Sequence, residues 1–299
     1  MTNRAVLPFV LVLGACKPNL SEDDWLITST RVLAVKSEPA EARPGTSLTF
    51  TALIANPPGA SDASTITWQF CTAPKPPTED NVVSTTCLDA TSLSDAGSGI
   101  SIVADAPPNA CSLFGPSTPP GGFRPRDPDE TGGYYQPLRI DVPGSDTAFH
   151  LERILCDLAD ASFDIATEFG KEYVPNLNPH LAPINATIGG NPVILDYIPL
   201  GARVDVEASW SSVDVENYAC YDRSSQTIIA KRESMRVAWY VSAGRLDTES
   251  TGRAENDLST VTSNVWTAPT TPGITKLWVV LRDSRGGIDY TTYDLSVTP

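Results

Sequence analysis

The feature that most restricts this chain is a repeated apolar alternation. In 203–210, Val204, Val206, Ala208 and Trp210 alternate with Arg203, Asp205, Glu207 and Ser209. Leu48, Phe50, Ala52 and Ile54 face one way in 48–54 while Thr49 and Thr51 face the other, and Ile66, Trp68 and Phe70 in 65–71 and Val237, Trp239 and Val241 in 236–241 recur at the same period. Period two sends one set of side chains to one face, so each segment reads as a strand with one face buried. Pro/Gly turns divide the segments, from a stock of 26 prolines and 20 glycines, as expected of short antiparallel strands. Segment 277–281 is apolar at every position, which suits a central strand. The reading is an all-β chain.

The pattern occurs twice. Arg31–Val35 leads through a turn at Pro44-Gly45 into strand 47–55 and then a strand carrying Trp68. Segment 183–188 leads through Pro199-Leu200-Gly201 into strand 203–210 and then a strand carrying Trp239. Each copy places one tryptophan where the core between two sheets needs a large ring. The second copy continues with Val265-Trp266-Thr267-Ala268-Pro269, a Pro272-Gly273 turn, strand 275–282, then Arg282-Asp283-Ser284-Arg285-Gly286-Gly287 and strand 288–297. The Gly-Gly pair supplies positive φ for a hairpin.

These closing strands resemble those of Ig-like and PKD-like modules of bacterial surface proteins. With Thr131–Pro137 added, the whole chain is similar to Ig-like surface lipoproteins of large-genome bacteria. The likeness covers 184–299 well and 28–105 less well. It implies two Ig-like β-sandwich domains in tandem and an envelope address, and it carries no activity or site residues. Between the copies, seven prolines in 107–128 mark an extended loop, and strands at about 136–142 and 148–156 close the first sandwich. Ile165, Ala166, Phe169 and Tyr173 recur at helical spacing, so one short helix is expected at the junction. The expected organisation is a first sandwich over 28–158, a helical junction over 159–180 and a second sandwich over 181–299.

The amino terminus gives an address. Arg4 precedes an apolar run from Ala5 to Ala15 that is too short to span a bilayer. The run ends in Leu13-Gly14-Ala15-Cys16, which resembles the lipobox of bacterial lipoproteins. The resemblance implies a signal peptide over 1–15, cleavage before Cys16, and acyl chains on that cysteine that hold it to a membrane; an ordinary secretory signal is the alternative. Lys17 favours the outer over the inner membrane by known sorting rules. Residues 16–27 read as a tether with little to bury.

Charge and cysteines narrow the partners. The formal charge is −15, and −16 once Arg4 leaves with the signal. So acidic a surface repels nucleic acid and anionic headgroups. In an oxidising compartment the five other cysteines should form disulfides. Cys71 with Cys87 and Cys111 with Cys156 is the simplest arrangement, leaving Cys220 over, although spacing alone does not fix connectivity.

No nucleophile elbow, zinc-protease helix, phosphate loop or dinucleotide fingerprint occurs, and no cofactor is expected. His150 and His180 read as surface or hydrogen-bonded residues. Asp127, Asp129 and Glu130 place three oxygen donors in one loop, a candidate calcium site that lacks the spaced register of a calcium hand. Asp283 and Asp289 flank the Gly-Gly hairpin and read as turn caps. Phe123, Tyr134 and Tyr135 are candidate partner contacts, or rings that cover a sandwich end. The Asn185-Ala186-Thr187 triplet reads as chance. Three functions compete: a non-catalytic lipid-anchored module for adhesion, display or envelope assembly; a glycan- or peptide-binding lipoprotein; and a divergent hydrolase with distant paired carboxylates.

Overall fold

The computed structural model describes residues 23–57, 66–74, 83–116, 131 and 133–299. Strands make up 49% of the described residues and helices 9%, so the fold is all-β. The strands are β1 Arg31–Glu38, β2 Ser47–Ala55, β3 Thr67–Cys71, β4 Leu93–Ser98, β5 Ser101–Asp105, β6 Gly133–Asp141, β7 Ala148–Leu155, β8 Asn185–Ile188, β9 Asn191–Pro192, β10 Ile198–Pro199, β11 Arg203–Ser209, β12 Asn217–Asp222, β13 Thr227–Arg232, β14 Met235–Val241, β15 Arg245–Leu246, β16 Ser250–Arg253, β17 Val261–Thr267, β18 Gly273–Asp283 and β19 Ile288–Thr298. The α-helices are α1 Thr85–Leu88, α2 Ala110–Phe114 and α3 Phe163–Glu172.

The first sandwich faces sheet β1-β2-β5 against sheet β4-β3-β6-β7. Leu48, Phe50, Trp68, Leu138 and Ile140 fill its core. The second faces β15-β17-β11-β8-β9 against β10-β19-β18-β14-β16, around Val204, Val206, Trp239, Trp266, Leu277 and Val279. A fully buried aliphatic or aromatic side chain contributes about 1.5–3 kcal/mol, so alternation of this kind is enough to hold each pair of sheets face to face.

The internal repeat extends to topology. Strands β1, β2 and β5 correspond to β8, β11 and β17, and β4-β3-β6-β7 corresponds to β16-β14-β18-β19. Even the strand switch recurs. After the first strand the chain crosses to pair in parallel with the last one, as Ala42 with Ile154 and as β10 with β19. The expected turns follow each switch, with Gly45 at φ 81° and Gly201 at φ 65°, a region where a Cβ is costly. The indole N–H of each of the two repeated tryptophans finds an acceptor, Trp68 at Gly99 O and Trp239 at Thr251 Oγ1.

Three features depart from the sequence reading. First, β18 is central and apolar on both faces, but its outer face is not covered by its own sandwich. Trp278 and Val280, with Ile288, pack against Ile27, Leu33, Ala34, Leu53 and Ala55 of the amino-terminal half. The two sandwiches therefore lie side by side and share a third core. Second, the tether expected over 16–27 is too long by at least three residues. Trp25 sits in the second core, Ile27 in the shared one, and Leu26 bridges Val241 in parallel. Third, β12 and β13 form a separate hairpin, against which α3 packs. The helix matches its expected place, with Ser162 as amino-terminal cap and Phe169 buried.

Candidate functional site: the junction between the sandwiches

The expected disulfides are present, Cys71–Cys87 and Cys111–Cys156. They close one end of the first sandwich around Phe114, Tyr134 and Ile154. Tyr134 is 4% exposed, so the partner-contact reading fails for it: its strand position turns the ring into this small core. Tyr135, its neighbour on β6, is 40% exposed. Cys220 is buried on β12, outside both disulfides. Cys16, Phe123, Asp127, Asp129 and Glu130 lie outside the described residues. Among the described residues no group of three His, Cys, Asp or Glu side chains is placed to hold a metal.

His150 Nε2 lies 3.0 Å from Glu152 Oε2 on β7, and burial raises the Glu152 carboxyl above its ordinary value. His180 is exposed, 3.7 Å from Asp289. Asp283 caps its turn as expected, accepting the N–H groups of Arg285 and Gly287, both at 2.8 Å. Asp289 instead ties the two halves together. It holds Lys36 of β1 at 3.1 Å and accepts the Leu181 N–H at 2.8 Å.

The densest chemistry lies where α3 and the segment after it run between the sandwiches. Arg285, from the β18–β19 turn, is 1% exposed. Its Nε donates to Glu233 Oε1, its Nη2 to Glu216 Oε2 and its Nη1 to Val174 O, each at 2.7 Å. The guanidinium also lies over Tyr218, 4.5 Å from the ring centroid, a favourable cation–π geometry. Beside it, from the first sandwich, Arg153 Nε donates to Glu41 Oε2 at 3.1 Å. The same oxygen accepts the Tyr173 hydroxyl at 2.6 Å and the Asn176 N–H at 3.2 Å. Asn176 Nδ2 reaches Asp283 at 3.4 Å, linking the two clusters. Asn178 bridges β1 and β19, donating to Ser37 O at 2.6 Å and accepting the Ile288 N–H at 2.8 Å.

The electrostatics follow from burying more carboxylates than guanidiniums. Burial, with the Asp283 carboxylate adding to it, pushes Glu233 up to about 7 even though Arg285 opposes the shift. Burial likewise raises Asp283 and Glu216, and it pushes the Tyr173 hydroxyl up to about 12. Burial works against the Arg153 cation, but Tyr173 and Glu41 outweigh it and hold its pKa above the ordinary value.

A cavity of about 260 Å³ opens beside this cluster, between α3 and the end of β7, walled by Leu155, Leu158, Phe169 and Pro175. Glu41 and Asp157 are its carboxylates. Glu41 Oε2 takes three donors, while its Oε1 is buried with no hydrogen-bond partner. None of Glu41, Arg153, Glu216, Glu233 or Arg285 stood out in the sequence. The signal available was the Asp283-Ser284-Arg285-Gly286-Gly287 turn, in which Asp283 read as a turn cap and Arg285 only as part of the hairpin.

No protein family matches the chain, and no curated protein matches it. Among solved structures it is similar to a lipoprotein from Bacteroides thetaiotaomicron, at 12% identity over 38% of this chain and 79% of that one, with a TM-score of 0.23. It is also similar to the Yersinia pseudotuberculosis adhesin InvE, at 10% identity over 90% of this chain and 59% of that one, with a TM-score of 0.22. A third is native E. coli alpha-2-macroglobulin, at 10% identity over 90% of this chain and 17% of that one, with a TM-score of 0.24. The chain thus spans less than two thirds of the last two, and TM-scores this low assign it to no family.

Proposed function

We propose that this chain is a non-catalytic, lipid-anchored envelope protein, held on the outer membrane through Cys16, that presents two rigidly joined β-sandwiches for adhesion, display or envelope assembly. The observation that carries the reading is the use made of buried charge. Arg153 holds Glu41 within the first sandwich and Arg285 holds Glu216 and Glu233 within the second, and Asn176 ties the two clusters together through Glu41 and Asp283. A catalytic site needs nucleophile, base and charge stabiliser around space for a substrate; here the charges are engaged with one another.

Metabolic labelling with palmitate tests the anchor. Wild type should carry label and sediment with membranes, and Cys16→Ser should lose both. Equal sedimentation of the variant would refute the anchor. A pull-down with the mature protein against envelope proteins and glycans tests for the partner. A second reading, capture of a small apolar group, is favoured by the cavity at α3. Gly170 lines it, and a Cβ added there meets nothing within 4 Å, so Gly170→Trp should fill the opening without disturbing the fold. Unchanged ligand capture by that variant would remove the second reading.

A further inference from the structure

Chain order puts the first sandwich next to the anchor, yet the first described residues belong to the second. Trp25 lies in the second sandwich's core. The Ile27 N–H donates to Val241 O at 2.8 Å and the Val241 N–H donates to Trp25 O at 2.9 Å. From Cys16 to Asp23 is seven residue steps, a reach of at most about 25 Å. Strand β18 alone has 11 residues, about 36 Å of strand. An anchor on so short a leash holds close whichever part of the body receives it, and the receiving strand end is that of Val241.

That end carries uncovered apolar side chains. Val241 pairs with Leu277, and three residues back along β18 stands Ile274, 57% exposed. Tyr197, 71% exposed, immediately precedes Ile198, which pairs with Val297 at the same end of β19. Their strand neighbours Thr275 and Ile198 are buried, so Ile274 and Tyr197 are turned away from the core. Leu200, 37% exposed, follows at the next turn. Farther along the same sheet face, Trp278 and Val280 are covered by the first sandwich; Ile274 is not.

We infer that the second sandwich, not the first, stands on the lipid surface, and that Tyr197, Leu200 and Ile274 are its contact with the bilayer. The inference rests on lipidation at Cys16 as proposed above. An amphipathic ring beside branched aliphatic residues suits the headgroup boundary, and exposed apolar patches mark membrane or protein contacts. A net charge of −16 after loss of Arg4 disfavours anionic lipid, so the fitting surface is zwitterionic. The junction end, with α3, then faces outward.

The test places an environment-sensitive fluorophore on the lipidated protein in phosphatidylethanolamine/phosphatidylcholine vesicles. Ile274→Cys carries it in one protein and Phe163→Cys in another, each in a Cys220→Ser background; Phe163, 85% exposed, begins α3. Blue-shifted emission and at least two-fold quenching by doxyl-labelled lipid are expected at position 274, and neither at position 163. Palmitate labelling is read on the same samples. Labelled protein with no quenching at 274, or with stronger quenching at 163, overturns this orientation and leaves the anchor standing. Absence of palmitate overturns both.

Discussion

Arg285→Met removes the guanidinium and keeps its stem. Two carboxylates, Glu233 and Glu216, then lose a partner held at 2.7 Å. Glu216 is 12% exposed at its side chain and Glu233 is 0%, so water can take over the first and not the second. Removing one partner of a buried pair costs about 3–5 kcal/mol, because the charge left behind is neither paired nor solvated. That range is expected for Arg285→Met at pH 8, read by urea unfolding of the soluble Cys16→Ser form. The cost should shrink in acid. Glu233 takes up a proton in the folded state at about pH 7 even with Arg285 present, and without the cation it will do so at higher pH. At pH 5.5 the buried group is neutral. Wild type also carries that proton at pH 5.5, so this carboxyl then adds little to the cost of the substitution. Adding Glu233→Gln to Arg285→Met should recover part of the loss at pH 8. A loss under about 1 kcal/mol at pH 8, or the same loss at both pH values, would refute the account of a buried, uncompensated charge.

Wild-type stability should fall as pH rises. Glu233 has a folded pKa raised from 4.5 to about 7, so between those values the folded state binds the proton more tightly. Stability is then lost through that window and is flat above it; Glu233→Gln should flatten the melting temperature between pH 5.5 and 8, and an unchanged slope would assign the effect to general charge repulsion. Gly287→Ala should cost about 1–3 kcal/mol by overpacking, since its Cβ would lie 2.1 Å from Asp283 Oδ2 and 2.7 Å from Leu177 O; a neutral result in a thermal melt would mean the turn yields. Removing the Cys111–Cys156 bridge, which spans 45 residues, should cost about 4 kcal/mol. Hydrogen exchange should place that loss at the closed end of the first sandwich, and uniform loss across both sandwiches would contradict it. Trp25→Ala should cost about 3 kcal/mol and raise exchange in β14; protection unchanged there would detach the amino-terminal segment from the second core.

Several sequence expectations carried through because they depend on local rules. The strands at 48–54, 203–210 and 236–241 formed where their alternation placed them. The hairpin shows the limit of such rules. Two glycines in the turn read as one requirement for positive φ, but only Gly286 has it, at φ 105°. Gly287 is needed because Asp283 and Leu177 leave no room for a Cβ. The hairpin β12–β13 stayed invisible because Thr227–Arg232 has no buried residue, and so no periodic signal.

Sequence alone determined the alternating strands, the Pro/Gly turns between them and the internal repeat, since period-two burial and glycine sterics act within a few residues. It also offered the disulfide partners, although not their necessity. Tertiary structure decided the rest. The second apolar face of β18 is explained by a sandwich more than 200 residues away in sequence, where Leu33 and Ala34 meet Trp278 and Val280. A charged residue reads the same whether it is solvated or enclosed; only packing separates Arg285, 1% exposed between Glu216 and Glu233, from Arg203, a surface arginine beside Asp247. Trp25 makes the same point at the amino terminus. Its short acidic segment looks like tether, and it becomes core because the open edge beside Val241 is near enough to pair with it.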